Sequence, residues 1–421
     1  MIKYDSHKDS GVEWMKQVPN SWSLSRIRFV GNLYGGLTGK KGGDFNNDEN
    51  PKNKPFVPFT NIFNNTYISK DHFQYVNIEE GEKQNRVLSN DLFFLMSSES
   101  YEDLGKCSIL LDEVDELYLN SFCKGYRIKD KRVFPLFLNY QLLGSLHKEM
   151  ISIEGNGFTR INLRQDRLLD IPVFIPPFTE QQQIVEFLDT KTTLIDSLIE
   201  KTQRKIELLK EKRTSLINHV VTKGLNPSVE LKDSGVEWIG EIPSHWNKVK
   251  IKFLGRVSSG DSLESSLIDK NEGVYPVYGG NGVMGYYSNF NYNKPILVIG
   301  RVGEKCGNVH FSEQEIYVND NSLVFEQYDS KMNLWFIYRS LVQRDLNQLR
   351  NKNTQPLITG TIVKDEFISY PPLLEQQQIV EYLDKQTNII NTTISKEEKR
   401  IELLKEYRQS LISEVVTGKI K

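Results

Sequence analysis

The chain has 421 residues, 38% of them hydrophobic and 26% charged, with a formal net charge of −2. That length leaves room for two or three domains, and the near-neutral balance argues against a free-standing, non-specific nucleic-acid binder, which is usually basic. Cys107, Cys123 and Cys306 are scattered and the six histidines lack ligand spacing, so no metal is expected; no apolar run approaches a membrane span, and the polar start MIKYDSHKDS has no signal-peptide core, so a cytoplasmic protein is expected.

A lead-in segment, Asp9 to Gly31, reads DSGVEWMKQVPNSWSLSRIRFVG. Trp14 and Trp22 flank Pro19, and the alternation after them predicts a short strand anchored on a core. Asn32 to Ile175 is mixed. The runs PFVPFTNIF, DLFFLMSS, CSILL and GYRI predict strands between loops rich in Asn, Asp, Gly and Ser. A helix is expected from about Pro135 to Met150, then a loop EGNGFTRINL and a short strand IPVFI.

Pro176 to Gly224 predicts one long helix. Its apolar positions are Ile184, Leu188, Ile195, Ile199, Ile206, Leu209, Leu216 and Val220, in alternating steps of four and three with Thr192, Thr202 and Arg213 as interruptions. That is a heptad rhythm. Pro176 and Pro177 block helix upstream, Thr179 is the expected N-cap, and Gly224 the stop. A helix of about 40 residues spans roughly 60 Å. One narrow stripe does not stabilise it alone, so it needs a partner helix; the stripe by itself also fits an ordinary dimerising coiled coil.

After a linker, Leu225 to Lys232, the plan repeats. Trp238, Pro243 and Trp246 stand 224 positions after Trp14, Pro19 and Trp22. A second variable region carries GVYPVYGGNGVMGYYS, the strand PILVIG, RVGEKCGNV and YVNDNSLVF, then a helix from about Met332 to Leu349 and the loop KNTQPLITG. Pro371 to Lys419 repeats the long helix at an offset of 195: Ile379, Leu383, Ile390, Ile394, Ile401, Leu404, Leu411 and Val415, interrupted at Thr387, Glu397 and Arg408. The drop from 224 to 195 makes the second variable region 29 residues shorter. The chain is a tandem duplication, and the partner of the first helix is expected within it. The expected boundaries are 1–175, 176–224, 225–370 and 371–421.

No catalytic residues are expected. There is no GxxxxGK[ST] phosphate loop, no FxGxG cofactor loop and no NPPF or DPPY tetrapeptide. The glycines of Gly279 to Gly285 are suited to tight turns or to close approach of backbone to a ligand. What the variable regions offer is polar loop chemistry for base edges and phosphates. In the first region the candidates are Ser97, Ser98, Lys106, Asn156, Thr159, Arg160 and Asn162; in the second they are Gly280, Asn281, Arg301, Lys305, Asn319, Asn321, Thr354 and Gln355. Arg matches guanine and Asn or Gln matches adenine by paired hydrogen bonds; Ser, Thr and backbone amides suit phosphates.

VPNSW and EIPSHW, PVYGGNGVMGY with GRVGEKCG, GNGFTRINL, and the paired PPxxEQQQIVE helices resemble the specificity subunit of type I restriction–modification enzymes, over nearly the whole chain. The resemblance implies an α+β fold: two mixed target-recognition domains separated by two long helices that pair as an antiparallel coiled coil, with pseudo-two-fold symmetry. It implies a DNA-binding, non-catalytic subunit in DNA methylation and phage defence, each domain reading half of an asymmetric bipartite site in double-stranded DNA. The helices would set the spacer and dock two methyltransferase subunits on outer faces bearing Glu186, Lys201, Lys205 and Lys212. S-adenosylmethionine, ATP and Mg would belong to these and to restriction (translocase) subunits. The second region follows the family's glycine pattern; the first lacks it. Alternatives are a related system without a separate restriction subunit, a self-contained modification enzyme, and a scaffold that reads no DNA.

Overall fold

The computed structural model describes residues 4–45, 52–329, 332–351 and 356–420. They form two compact units, residues 1–202 with 399–421, and residues 203–398. Each long helix therefore contributes one half to each unit.

In the first unit the lead-in strand Ser23–Arg26 pairs antiparallel with Pro172–Ile175, Ser23 facing Ile175 and Arg26 facing Pro172. The chain thus enters and leaves the first variable region through one ladder. Inside, Gly31–Gly35, Cys123–Ile128, Leu92–Leu95 and Cys107–Ile109 form a four-stranded antiparallel sheet in that order. Leu92 to Leu95 is buried throughout, as its unbroken apolar run requires. The run PFVPFTNIF divides at Pro58, into a strand Asn53–Val57 and a helix Phe59–Asn64. Proline is tolerated at a helix start but supplies no ladder N–H, so it ends the strand and opens the helix. The helix expected over Pro135 to Met150 is two, Pro135–Leu143 and Ser145–Ile153. Gly144 between them is extended (ψ 147°), and a Cβ there would stand 3.0 Å from Val416 of the second long helix.

The second unit repeats the plan. Asn247–Lys250 pairs antiparallel with Phe367–Tyr370. Its main sheet runs Gly255–Ser259, Ser322–Gln327, Ile296–Gly300, Val309–Ser312. The helix Leu334–Arg344 is capped by Asn333, whose side chain accepts from the Trp335 and Phe336 amides. It stops early because Asp345 turns left-handed (φ 50°), leaving Leu346–Leu349 as a separate 3-10 turn.

The long helices are Phe178–Lys223 and Leu373–Val416. Thr179 is not the cap of the first. The Glu180 and Gln181 amides donate to the Pro177 carbonyl at 2.9 and 3.1 Å, so the first turn closes on Pro177 and Thr179 lies within it. Gly224 ends the helix at φ +75°. Of the stripe, Ile184, Leu188, Ile195, Ile206, Val220, Ile379, Leu383, Ile390, Ile394, Ile401, Leu411 and Val415 are buried, and Ile199, Leu209, Leu216 and Leu404 half-buried. Ile217, Val221, Ile412 and Val416 are buried beside them.

Three of the six interruptions, Arg213, Glu397 and Arg408, make cross-helix contacts, while Thr192, Thr202 and Thr387 donate to carbonyls of their own helix. In the first unit Arg408 meets Asp196 with Nε 2.9 Å and Nη2 3.2 Å from its carboxylate. In the second, Lys205 meets Glu397 at 2.5 Å and Arg213 donates to Asn391 at 2.6 Å. Numbers rise on one helix as they fall on the other, so the strands of this coil run antiparallel. The repeated EQQQ also has a physical basis. Glu180 accepts from Trp22 Nε1 (2.9 Å) and Tyr4 (2.6 Å), and Glu375 from Trp246 Nε1 (2.9 Å). Gln181 and Gln376 are fully buried and satisfy the backbone where helix meets domain. Farther along, the Tyr67 and Tyr140 hydroxyls donate to Asp189 at 2.5 Å, and Arg339 pairs with the equivalent Asp384 at 3.0 Å.

Candidate functional site

The first unit gathers most of its candidates on one small sheet. EGNGFTRINL is a hairpin, not a loop: Gly155–Asn156 pairs with Ile161–Leu163, which pairs in turn with Ser97–Ser98. Gly157 turns it at φ +140°, with a Cβ position 2.1 Å from the Arg160 carbonyl, so glycine is required there. Strand alternation buries Ile161 and Leu163 and leaves Asn162 outward, where its amide donates to the Arg160 carbonyl at 3.2 Å. Asn156, Thr159 and Arg160 are exposed, and Ser97 faces Asn162 with its hydroxyl unpartnered. Ser98 is buried and accepts from the Ser100 amide at 3.2 Å, a turn role. Lys106 is not part of this group. Its ammonium lies 4.4 Å from the Phe63 ring centre and 3.8 Å from Asp103, in a cleft toward the long helices.

Two residues were missed. Phe158 at the hairpin tip is fully exposed, and Phe122 is 62% exposed with the Arg160 guanidinium 5.8 Å from its ring centre. A lone Phe between Gly157 and Thr159 in a polar stretch was the available signal.

In the second unit Gly280, Asn281, Lys305 and Asn321 line one concavity of about 640 Å³ with Glu304 and Val302. The hairpin Tyr275–Gly279 and Gly282–Tyr287 forms one wall. Its glycines serve turn and loop packing: Gly282 turns at φ +100°, and a Cβ on Gly280 would stand 2.7 Å from the Val302 carbonyl. Asn281, Lys305 and Asn321 are exposed and free to face a ligand. Asn319 is only 3% exposed; its side-chain Oδ1 accepts from the Asn321 amide at 3.0 Å and fixes that turn. Arg301 donates to Ser259 Oγ (3.2 Å) and the Asp320 carbonyl (3.3 Å), so it braces the loop. Thr354 and Gln355 lie outside the described residues. Val283 and Met284 are exposed on the rim and were also missed.

The first face presents amides, hydroxyls and the Arg160 guanidinium; the second presents the Asn281 and Asn321 amides, the Lys305 ammonium, the Glu304 carboxylate and glycine backbone. Burial pushes the Cys107 and Cys123 thiols up, Cys123 to about 12, leaving them inert. Among the described residues no group of His, Cys, Asp or Glu could hold a metal ion, and no helix is long and apolar enough to cross a membrane.

A family profile described as the type I restriction modification DNA specificity domain matches residues 19–209 and 243–403. The chain is 23% identical over 436 residues to the type I restriction enzyme MjaVIII specificity subunit of Methanocaldococcus jannaschii, covering 96% of this chain and 94% of that one. Among solved structures, a chain from work on complex assembly and conformational transition of the type I R-M system shares its fold with a TM-score of 0.73 at 15% identity, over 96% of this chain and 99% of that one. The HsdS subunit of Thermoanaerobacter tengcongensis does so with a TM-score of 0.56 at 15% identity, over 96% and 98%.

Proposed function

We propose, from the premise that this chain belongs to the type I restriction modification DNA specificity family, that it is the non-catalytic subunit which selects the DNA sequence for a methyltransferase and endonuclease complex. The observation that carries this is the duplication. Two domains of one plan, closed by equivalent ladders, present different polar sets: Asn156, Thr159, Arg160 and Asn162 in one, Asn281, Lys305 and Asn321 in the other. Two readers with different side chains select two different half-sites, so the target is bipartite and asymmetric. The paired helices set the spacer, as half-site spacing follows protein geometry elsewhere.

Catalysis, with S-adenosylmethionine, ATP and Mg, belongs to partner subunits in this reading. Two copies of the methyltransferase subunit dock on a second, outward stripe that the duplication also preserves. Leu194 and Leu208 on the first helix and Ile389 and Leu403 on the second are about half exposed, and Phe187 and Tyr382 stand one heptad ahead of Leu194 and Ile389. Equivalent apolar residues on both repeats fit two identical partners better than one. The test is a map of methylated bases in the host with and without this chain. A bipartite motif that disappears with the chain is the expected result. Methylation that persists unchanged, or methyl transfer by the purified chain alone, overturns the proposal.

A further inference from the structure

The first unit holds a basic cleft of about 860 Å³ where the domain meets the long helices. Lys106, Lys148, Lys405 and Arg408 line it, against Asp196 and Glu200. Arg408 is engaged by Asp196, Lys106 lies 3.8 Å from Asp103, and Glu200 faces solvent. Lys148 differs. It is half-buried, and its ammonium reaches a neutral group, Gln409 Oε1, at 3.5 Å. Burial lowers its pKa, and Lys106 and Arg408 lower it further, against a smaller opposing pull from Asp103 and Glu102. An ammonium held in a partly dry cleft beside two other cations is costly until an anion joins it.

The other lining groups suggest which anion. Asn64 and Thr66 also face the cleft and supply the amide and hydroxyl donors that hold phosphodiester oxygens, whereas the Asn65 amide is taken by Asn61 at 3.0 and 3.1 Å. None of its apolar residues, Tyr67, Leu143, Ile199 and Ile412, is exposed as a protein-docking anchor. We infer that Lys148, helped by Lys106, grips a backbone phosphate of the DNA duplex, a sequence-independent contact additional to the base-reading hairpin. This rests on the DNA-reading role proposed above. The grip is one-sided: 195 positions on, in the helix Leu334–Arg344, stands the neutral Gln343.

The test titrates the full chain with a duplex carrying its bipartite motif and with a scrambled duplex, across salt concentrations. Lys148→Gln, the second unit's own residue, is expected to weaken both duplexes by the same factor, roughly eightfold near 0.1 M salt, and to reduce the slope of log affinity against log salt by about 0.9. Lys148→Arg is expected to keep both. Relief of repulsion predicts that Lys148→Gln melts no lower than the parent chain, so lost binding is not lost folding. An unchanged slope with target preference intact overturns the cleft assignment while leaving the reading role standing. A parent chain with no preference between duplexes overturns the reading role instead. A Lys148→Gln chain whose DNA slope holds but whose grip on the modification subunit weakens also overturns the assignment, by giving the cleft to a protein.

Discussion

Three consecutive glutamines in the first long helix look equivalent as sequence, and only one of them is predicted to matter for stability. Gln181 is fully buried, whereas Gln182 and Gln183 are exposed. The Gln181 carbonyl accepts from the Phe134 amide at 2.8 Å, and its amide donates to the Arg132 and Pro176 carbonyls, each at 2.8 Å. Those three backbone groups sit where a helix and a strand end, so they have no ladder partner. At about 1 kcal/mol net per hydrogen bond, Gln181→Ala costs about 3 kcal/mol, more if the orphaned groups stay dry. For a unit of this size that is roughly 6 to 12 °C in Tm. Gln182→Ala and Gln183→Ala stay within about 0.5 kcal/mol. Gln376, with one accepted and two donated contacts to Asn333, Pro371 and Met332 sulfur, gives a somewhat smaller loss in the second unit. Calorimetry of the full chain, resolving the transitions of the two units, reads the effect. Equal losses at 181 and 182, or a Gln181→Ala shift under 2 °C, refute the reasoning.

Burial lowers His147 to about 4, with Nε2 held by the Pro172 carbonyl at 3.1 Å. The unfolded chain binds the proton more readily, so the stabilisation is complete above about pH 6.5 and falls away as pH drops toward 4, by about 3 kcal/mol. His147→Gln should flatten that fall in urea titrations between those pH values; a parallel decline shows another group responsible. Glu397 carries a charge on the apolar seam, paired with Lys205 at 2.5 Å. Glu397→Leu is expected to be neutral or stabilising, and a loss above about 2 kcal/mol in thermal melts contradicts this. Seven residues inserted in the first helix alone should disrupt pairing. Matched insertions in both lengthen the ruler by about 10 Å, or about three base pairs. The methylated motif should then gain spacer with unchanged half-sites; altered half-sites rule out the ruler.

The long helices and the duplication were legible because both are periodic: the heptad steps and the 195-residue offset survive in local sequence. Contacts across long separations were not. The hairpin at Gly155–Leu163 has strands of two and three residues, too short to alternate visibly, and is held by Ser97 and Ser98 about sixty positions away. The break at Gly144 answers to Val416, at the far end of the chain. Thr179 had the right chemistry for a cap, but the preceding proline's carbonyl closed the turn first. Among the site residues, Arg301 and Asn319 have side chains that suit bases, yet Arg301 Nη1 donates to Ser259 and Asp320 and the Asn319 side chain holds the Asn321 amide. Residue type alone does not separate a donor that braces a loop from one that faces out of it.

Each variable domain begins and ends in a pair of neighbouring strands, Ser23–Arg26 beside Pro172–Ile175 and Asn247–Lys250 beside Phe367–Tyr370. A gene crossover that falls in those strands exchanges everything between them as a cassette. The ladder is made by backbone atoms, which any incoming sequence supplies, and the tryptophan, glutamate and glutamine that seat it belong to the flanking scaffold. Such an exchange leaves the ladder in place, and an incoming domain has still to match the side-chain contacts to the helices that Tyr140 makes with Asp189 and Ser145 with Ser413.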